Sequence, residues 1–186
     1  MKKQTLALAS ILTITAISTA SAQTIAQWTF EINTPADLTD SATIGGIAAD
    51  FGAGTASGVH ASALTDWTTP AGNGSANSLS ANNWAVGDYF QFTLSTVGYS
   101  GIGVSFDQTG SNTGPRDFDL SYSTDGISFT SFASYSLING SWSALTPTAL
   151  PTSYSFDLSS VTALDNAANV YFRLVTTSST GINGSP

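Results

Sequence analysis

The sequence predicts an all-β protein, an antiparallel, jelly-roll-like β-sandwich of about eight to ten short strands. Three observations lead there. Apolar residues recur at every second position in short runs, the period of a half-buried strand rather than of a helix. Gly, Asn, Asp and Pro punctuate those runs as turn residues do. The stretch Gly87–Phe132 holds four such runs in succession, and a sheet of that kind must bury one face against a second layer.

The chain has 186 residues, enough for one domain with a sizeable core. Lys2 and Lys3, the apolar run Leu6–Ile17 and Ala20-Ser21-Ala22 read as a signal peptide cleaved before Gln23. The apolar part is too short to span a bilayer. Residues 1–22 are therefore expected to be a signal peptide and residues 23–186 a single β-sandwich domain. This places the protein outside the cell or at its envelope, and not as an integral membrane protein. The formal charge is −8 for the whole chain and −10 without Lys2 and Lys3, which leaves Arg116 and Arg173 against eleven Asp and Glu31. Such a surface excludes nucleic acid and disfavours anionic membrane, whereas cations and neutral sugars suit it. Cysteine is absent, so no disulfide and no thiolate metal site is available.

Taken in order, Ile25–Ile32 alternates, with Trp28, Phe30 and Ile32 on one face, and reads as the first strand. From Asn33 to Asn83 the pattern loosens. A structureless loop of that length contradicts a compact fold, so short strands are expected there, at Ala48–Phe51, Ser57–Ala61 and Asn77–Ala81. Phe90, Phe92 and Leu94 then share a strand face, as do Ile102, Val104 and Phe106 in the next strand. Gly110, Gly114 and Pro115 break the sheet.

Asp125-Gly126, between Asp117–Thr124 and Ile127–Ser136, has the composition of a two-residue type I′ hairpin turn. That turn would pair Tyr122 with Phe129 and Leu120 with Ser131. It would also collect Phe118, Leu120, Tyr122, Ile127 and Phe129 on one face. Leu137–Pro151 is a loop containing Trp142. Tyr154, Phe156 and Leu158 form a further strand face, and Ser159–Leu164 suits a single helical turn capped by Ser. Val170, Phe172 and Leu174 make the last strand, with Tyr171, Arg173 and Val175 opposite.

The segments GDYFQFTLSTVGYSGIGVSFDQ, TGPRDFDLSYSTDGISFTSF and SFDLSSVTALDNAANVYFRLV resemble a family of exported bacterial β-sandwich domains. These occur in cyanobacteria, verrucomicrobia and planctomycetes, frequently in PEP-CTERM sorting-domain proteins. The likeness covers about Trp28–Thr177, and the TGPR-x-F-x-L-x-YS-x-DG pattern is its most specific part. It implies a secreted jelly-roll-like sandwich and almost no chemistry, the family being largely uncharacterised. Its members continue past the equivalent of Pro186 into another strand, so the resemblance implies a C-terminally truncated chain lacking its last strand. WTFE at Trp28–Glu31 also resembles the first strand of jelly-roll carbohydrate-binding modules. By that likeness Glu31 is a candidate ligand of a structural Ca²⁺, which takes hard oxygen donors.

Trp67, Trp84, Tyr99, Tyr135 and Trp142 lie in or beside expected loops, where aromatic rings can stack on sugars; they are the candidate ligand-binding residues. The bland alternative is that they lid the ends of the sandwich. Arg116, beside Asp117 in the TGPRDF turn, is expected to play a structural part, as are Asp125 and Gly126 in theirs. His60 is the single histidine and reads as an ordinary loop residue, and no Ser lies in a G-x-S-x-G elbow. The expected function is a secreted, non-catalytic extracellular module for glycan or matrix interaction and adhesion, with extracellular polysaccharide or envelope matrix as partner. The alternative is a structural cell-surface or biofilm-matrix protein without a small ligand. A glycoside hydrolase ranks below both, because no spacing singles out a carboxylate pair.

Overall fold

A computed structural model describes residues 22–147 and 152–185; the expected leader up to Ser21, and Pro151, lie outside them. The described residues are all-β. In chain order the strands are β1 (Ala26–Gln27), β2 (Thr43–Ala48), β3 (Phe51–Gly52), β4 (Gly54–Val59), β5 (Trp67–Thr68) and β6 (Ser80–Ala81). They continue with β7 (Tyr89–Leu94), β8 (Gly103–Asp107), β9 (Asp117–Ser123), β10 (Thr130–Ser136), β11 (Ser153–Asp157) and β12 (Val170–Thr176). The one helical element among them is a 3₁₀ turn, Thr162–Leu164. No helix among the described residues is long and apolar enough to cross a membrane.

One layer is a six-stranded antiparallel sheet in the order β10-β9-β12-β7-β4-β2. Its centre is β12, where Phe172 stands between Tyr122 of β9 and Phe92 of β7. Alternation explains the burial: Val170, Phe172, Leu174 and Thr176 are buried, while Tyr171, Arg173 and Val175 on the other face are half-buried. Each fully buried Val, Leu or Phe of such a face contributes about 1.5–3 kcal/mol of transfer free energy.

The facing layer is narrower. At one end β8 and β11 pair, with Ile102, Leu158 and Leu164 beside them, over the β9–β12–β7 part of the sheet. At the other end Trp67, Trp28, Leu79 and Trp84 cover β4 and β2, where Ile44, Ile47 and Ala56 are buried. Phe92 packs against both clusters and so stands at their junction.

Several expectations change. The first strand shrinks to Ala26–Gln27 because the chain then turns around the carboxylate of Asp50. Phe30 is in the left-handed region (φ 60°), and Ile32 is 77 % exposed rather than on a core face. The loose region does contain strands, but Ala49 and Asp50 form the turn between β2 and β3 rather than a strand centre. No side chain caps the 3₁₀ turn, whose N-cap residue is Val161 and not a serine.

The β9–β10 hairpin forms, but not through a two-residue turn. Tyr122 pairs with Thr130, not Phe129, and a bulge between Ser131 and Ala133 brings Leu120 opposite Ala133. Asp125 decides this: its Oδ1 accepts the N–H groups of Ile127 and Ser128, both at 2.8 Å, closing a longer loop with Gly126 at φ 73°. Those N–H donors, with Ser123, hold the Asp125 carboxyl down at about 2. Ile127 is consequently 86 % exposed, and Phe129 lies on the outer face against the Arg173 guanidinium.

Candidate functional site

Between the two ends of the narrow layer lies a cleft of about 2320 Å³. Its floor is the inner face of the large sheet: Phe90, Phe92 and Leu94 of β7, Phe118 of β9, and Phe172 and Leu174 of β12. Phe92 and Leu94 are only half-buried, although they sit in the interior of a six-stranded sheet. One wall is Ala22–Glu31 and the other is β8.

The two walls are tied together at one end by the loop of residues 72–77. Ser75 Oγ donates to Thr29 O (2.7 Å) and to Glu31 Oε1 (2.5 Å), and the Ala76 N–H also reaches Glu31 Oε1. Asn73 Nδ2 donates to Asp107 Oδ2 at the far end of β8 (3.0 Å). Among the described residues Glu31 and Asp107 are the carboxylates lining the cleft, and no Lys, Arg or His of them lines it. The Ser75 hydroxyl and then the Ala76 amide hold the Glu31 carboxyl below its ordinary range.

The backbone of β8 has a consequence for the cleft. Leu158 N–H donates to Ile102 O and Gln108 N–H to Thr152 O, so the even-numbered residues of β8 face β11. By the alternation of an antiparallel ladder, the N–H and C=O groups of Gly103, Ser105 and Asp107 point to the opposite edge. Among the described residues no strand pairs with that edge.

The structure sorts the candidate aromatic residues. Trp84, Tyr99 and Trp142 line the cleft. Trp84 Nε1 donates to Ala81 O, and its ring packs edge-on against Phe90 and Phe118. Trp142 Nε1 donates to Thr152 Oγ1 at 3.1 Å. Trp67 drops out as a ligand-stacking residue: it is 0 % exposed, its Nε1 donates to Ser41 O, and its ring lies against Gly58. Tyr135 is packed between Phe106, Phe118, Tyr154 and Phe156, with its hydroxyl donating to Gln108 Oε1 (2.7 Å). Burial raises its pKa well above the ordinary value. Trp28 and Tyr154 also line the cleft and were not singled out in the sequence; both lie on alternating runs that read as ordinary strand faces.

The remaining candidates have structural surroundings. Glu31 sits in a turn rather than on a strand, and no group of three or more His, Cys, Asp or Glu side chains suited to a metal occurs among the described residues. Arg116 Nε and Nη2 donate to the two carboxylate oxygens of Asp117, at 2.9 and 3.0 Å. Asp117 also accepts from Ser136 and Ser178, and chiefly the Arg116 guanidinium keeps its carboxyl far below the usual range.

His60 is not a loop-surface residue. It is 3 % exposed between the rings of Trp67 and Trp84, at centroid distances of 4.7 and 4.2 Å. Its Nδ1 faces Thr65 Oγ1 (3.2 Å) and Asp88 Oδ2 (3.5 Å). Desolvation lowers its pKa in spite of the Asp88 carboxylate. Compared with known protein families, characterised proteins and solved structures, the chain matches none of them.

Proposed function

We propose that this protein is a secreted, non-catalytic interaction module that holds an extracellular matrix component, a glycan or another matrix polymer, in the cleft between its two layers. The observation that carries the reading is the cleft itself. Pockets for small ligands run to roughly 300–1,000 Å³, and a cleft of about 2320 Å³ exceeds that range more than twofold. It suits a segment of an extended polymer better than a metabolite. Its floor is apolar and aromatic, which favours stacking and exclusion of water. Its lining includes the exposed side chains of Asn82 and Asn139, amides able to exchange hydrogen bonds with a neutral polar chain.

Tryptophan is a built-in reporter, because Trp28, Trp84 and Trp142 line the cleft whereas Trp67 is buried. Titration with extracellular polysaccharides and envelope material should give a saturable change in intrinsic fluorescence. Trp142→Ala should weaken it without unfolding the sandwich, since Trp142 is half-buried in a loop. Silence toward every matrix preparation, with the fold intact by circular dichroism, would reject the reading.

A further inference from the structure

We infer that the partner held in the cleft is an extended polypeptide strand of another molecule, added to the open edge of β8, with apolar residues at alternate positions. This rests on the reading of the cleft as the binding surface, and it names the chemistry of the partner.

Three features select a peptide strand. The N–H and C=O groups of Gly103, Ser105 and Asp107 present donors and acceptors at strand spacing along one side of the cleft. That pattern matches a main chain and not a sugar ring, as in recognition by β-strand addition. Of the floor residues, Phe92 and Leu94 keep accessible surface and can receive alternate side chains of a strand lying over them. Half-burial of Phe92 and Leu94 in mid-sheet is the state such a strand would end. Charge supplies the third: Glu31 and Asp107 lie at the end tied by the 72–77 loop, and no Lys, Arg or His side chain is among the described lining residues, which favours a basic residue on the strand at that end.

The probe is a synthetic peptide of about ten residues with valine at alternate positions, Ser or Thr between them, and lysine at both ends. It is titrated into the intact protein by calorimetry, with amide hydrogen exchange read in parallel. Saturable binding should slow exchange at Gly103, Ser105 and Asp107. Ser105→Pro removes one N–H from the open edge and none from the ladder to β11, and should weaken binding by about tenfold. Asp157→Pro, on the outer edge of β11 and outside the cleft lining, should leave it unchanged. The same peptide N-methylated on one edge should fail on the unaltered protein, which keeps the test independent of how the proline variants fold.

Equal loss in both proline variants, or binding by the N-methylated peptide, overturns the inference. Protection of these amides before peptide is added also overturns it, because the protein's own chain would then already pair the edge. Polysaccharide binding that ignores Ser105→Pro, with the peptide inert, overturns the strand but keeps the module. Inertness of both probes rejects both readings.

Discussion

Asp50 Oδ2 accepts the N–H of Phe30 at 2.6 Å and so holds an aromatic residue in the left-handed region, at φ 60°. The same carboxylate accepts the N–H groups of Thr29, Ile32 and Asn33 and the Thr29 hydroxyl. It converts the end of an alternating run into the turn that ends one wall of the cleft.

Asp50→Asn should therefore destabilise the protein by about 1–3 kcal/mol, because several amides lose a charged acceptor. Burial works against ionisation of Asp50, yet the hydrogen bonds from Asn33, Thr29 and Phe30 prevail and keep its pKa at about 2. A depressed carboxyl contributes stability that is complete above the unfolded-state value and is lost as pH falls through the folded one. Melting temperature should fall between about pH 4 and pH 2, with a shallower slope in Asp50→Asn.

His60 gives a separate window. Its folded pKa lies below the ordinary value of 6.5, so the unfolded chain binds the proton first. Stability should be full at pH 8 and decline as pH falls below about 6.5, levelling once the folded imidazole is itself protonated. Thermal melts of wild type and His60→Phe check this. The variant should lose the slope in that window whatever its overall stability, while a slope unchanged by the substitution would assign it to other groups.

Two glycines of neighbouring strands should respond in opposite ways. A Cβ on Gly58 would lie 2.3 Å from Trp67 Cη2, so Gly58→Ala should cost about 1–3 kcal/mol by overpacking. A Cβ on Gly45 meets nothing nearer than Ser57 Cβ at 3.6 Å, and Gly45→Ala should be neutral or stabilising by about 0.5 kcal/mol. Urea denaturation of the pair tests whether Trp67 sits flat on β4.

Arg116→Ala should cost little, since its ion pair is solvent-accessible and screened. Asp117→Ala should cost more, because Asp117 also accepts from Ser136 and Ser178 and so ties β9 to β10 and to the segment after β12. A denaturant series in which Arg116→Ala proved the more damaging would assign Arg116 a role beyond this pair.

The strands with the cleanest alternation were legible residue by residue. Tyr89–Leu94, Gly103–Asp107, Ser153–Asp157 and Val170–Thr176 each place the expected apolar residues on one face. The register of the β9–β10 hairpin was not legible, because Asp-Gly suits several turns and the hydrogen bonds of Asp125 and Ser123 chose among them. Of the site, Trp84, Tyr99 and Trp142 were visible as loop aromatics. Trp67 was not separable from them, since its burial depends on Gly58 of another strand.

By itself, then, the sequence determined the strand content, the faces of the regular strands and the acidic, Cys-free character of the surface, all of which depend on local period or on composition. Tertiary structure alone decided three things. Asp50 caps a turn 21 residues before it in sequence. His60 is enclosed by Trp67 and Trp84. The open edge of β8, the Ala22–Glu31 segment and the aromatic inner face of the large sheet come together around one cleft. Each arises where groups distant along the chain compete for the same hydrogen bonds or the same buried volume, and that competition is resolved only when the layers pack.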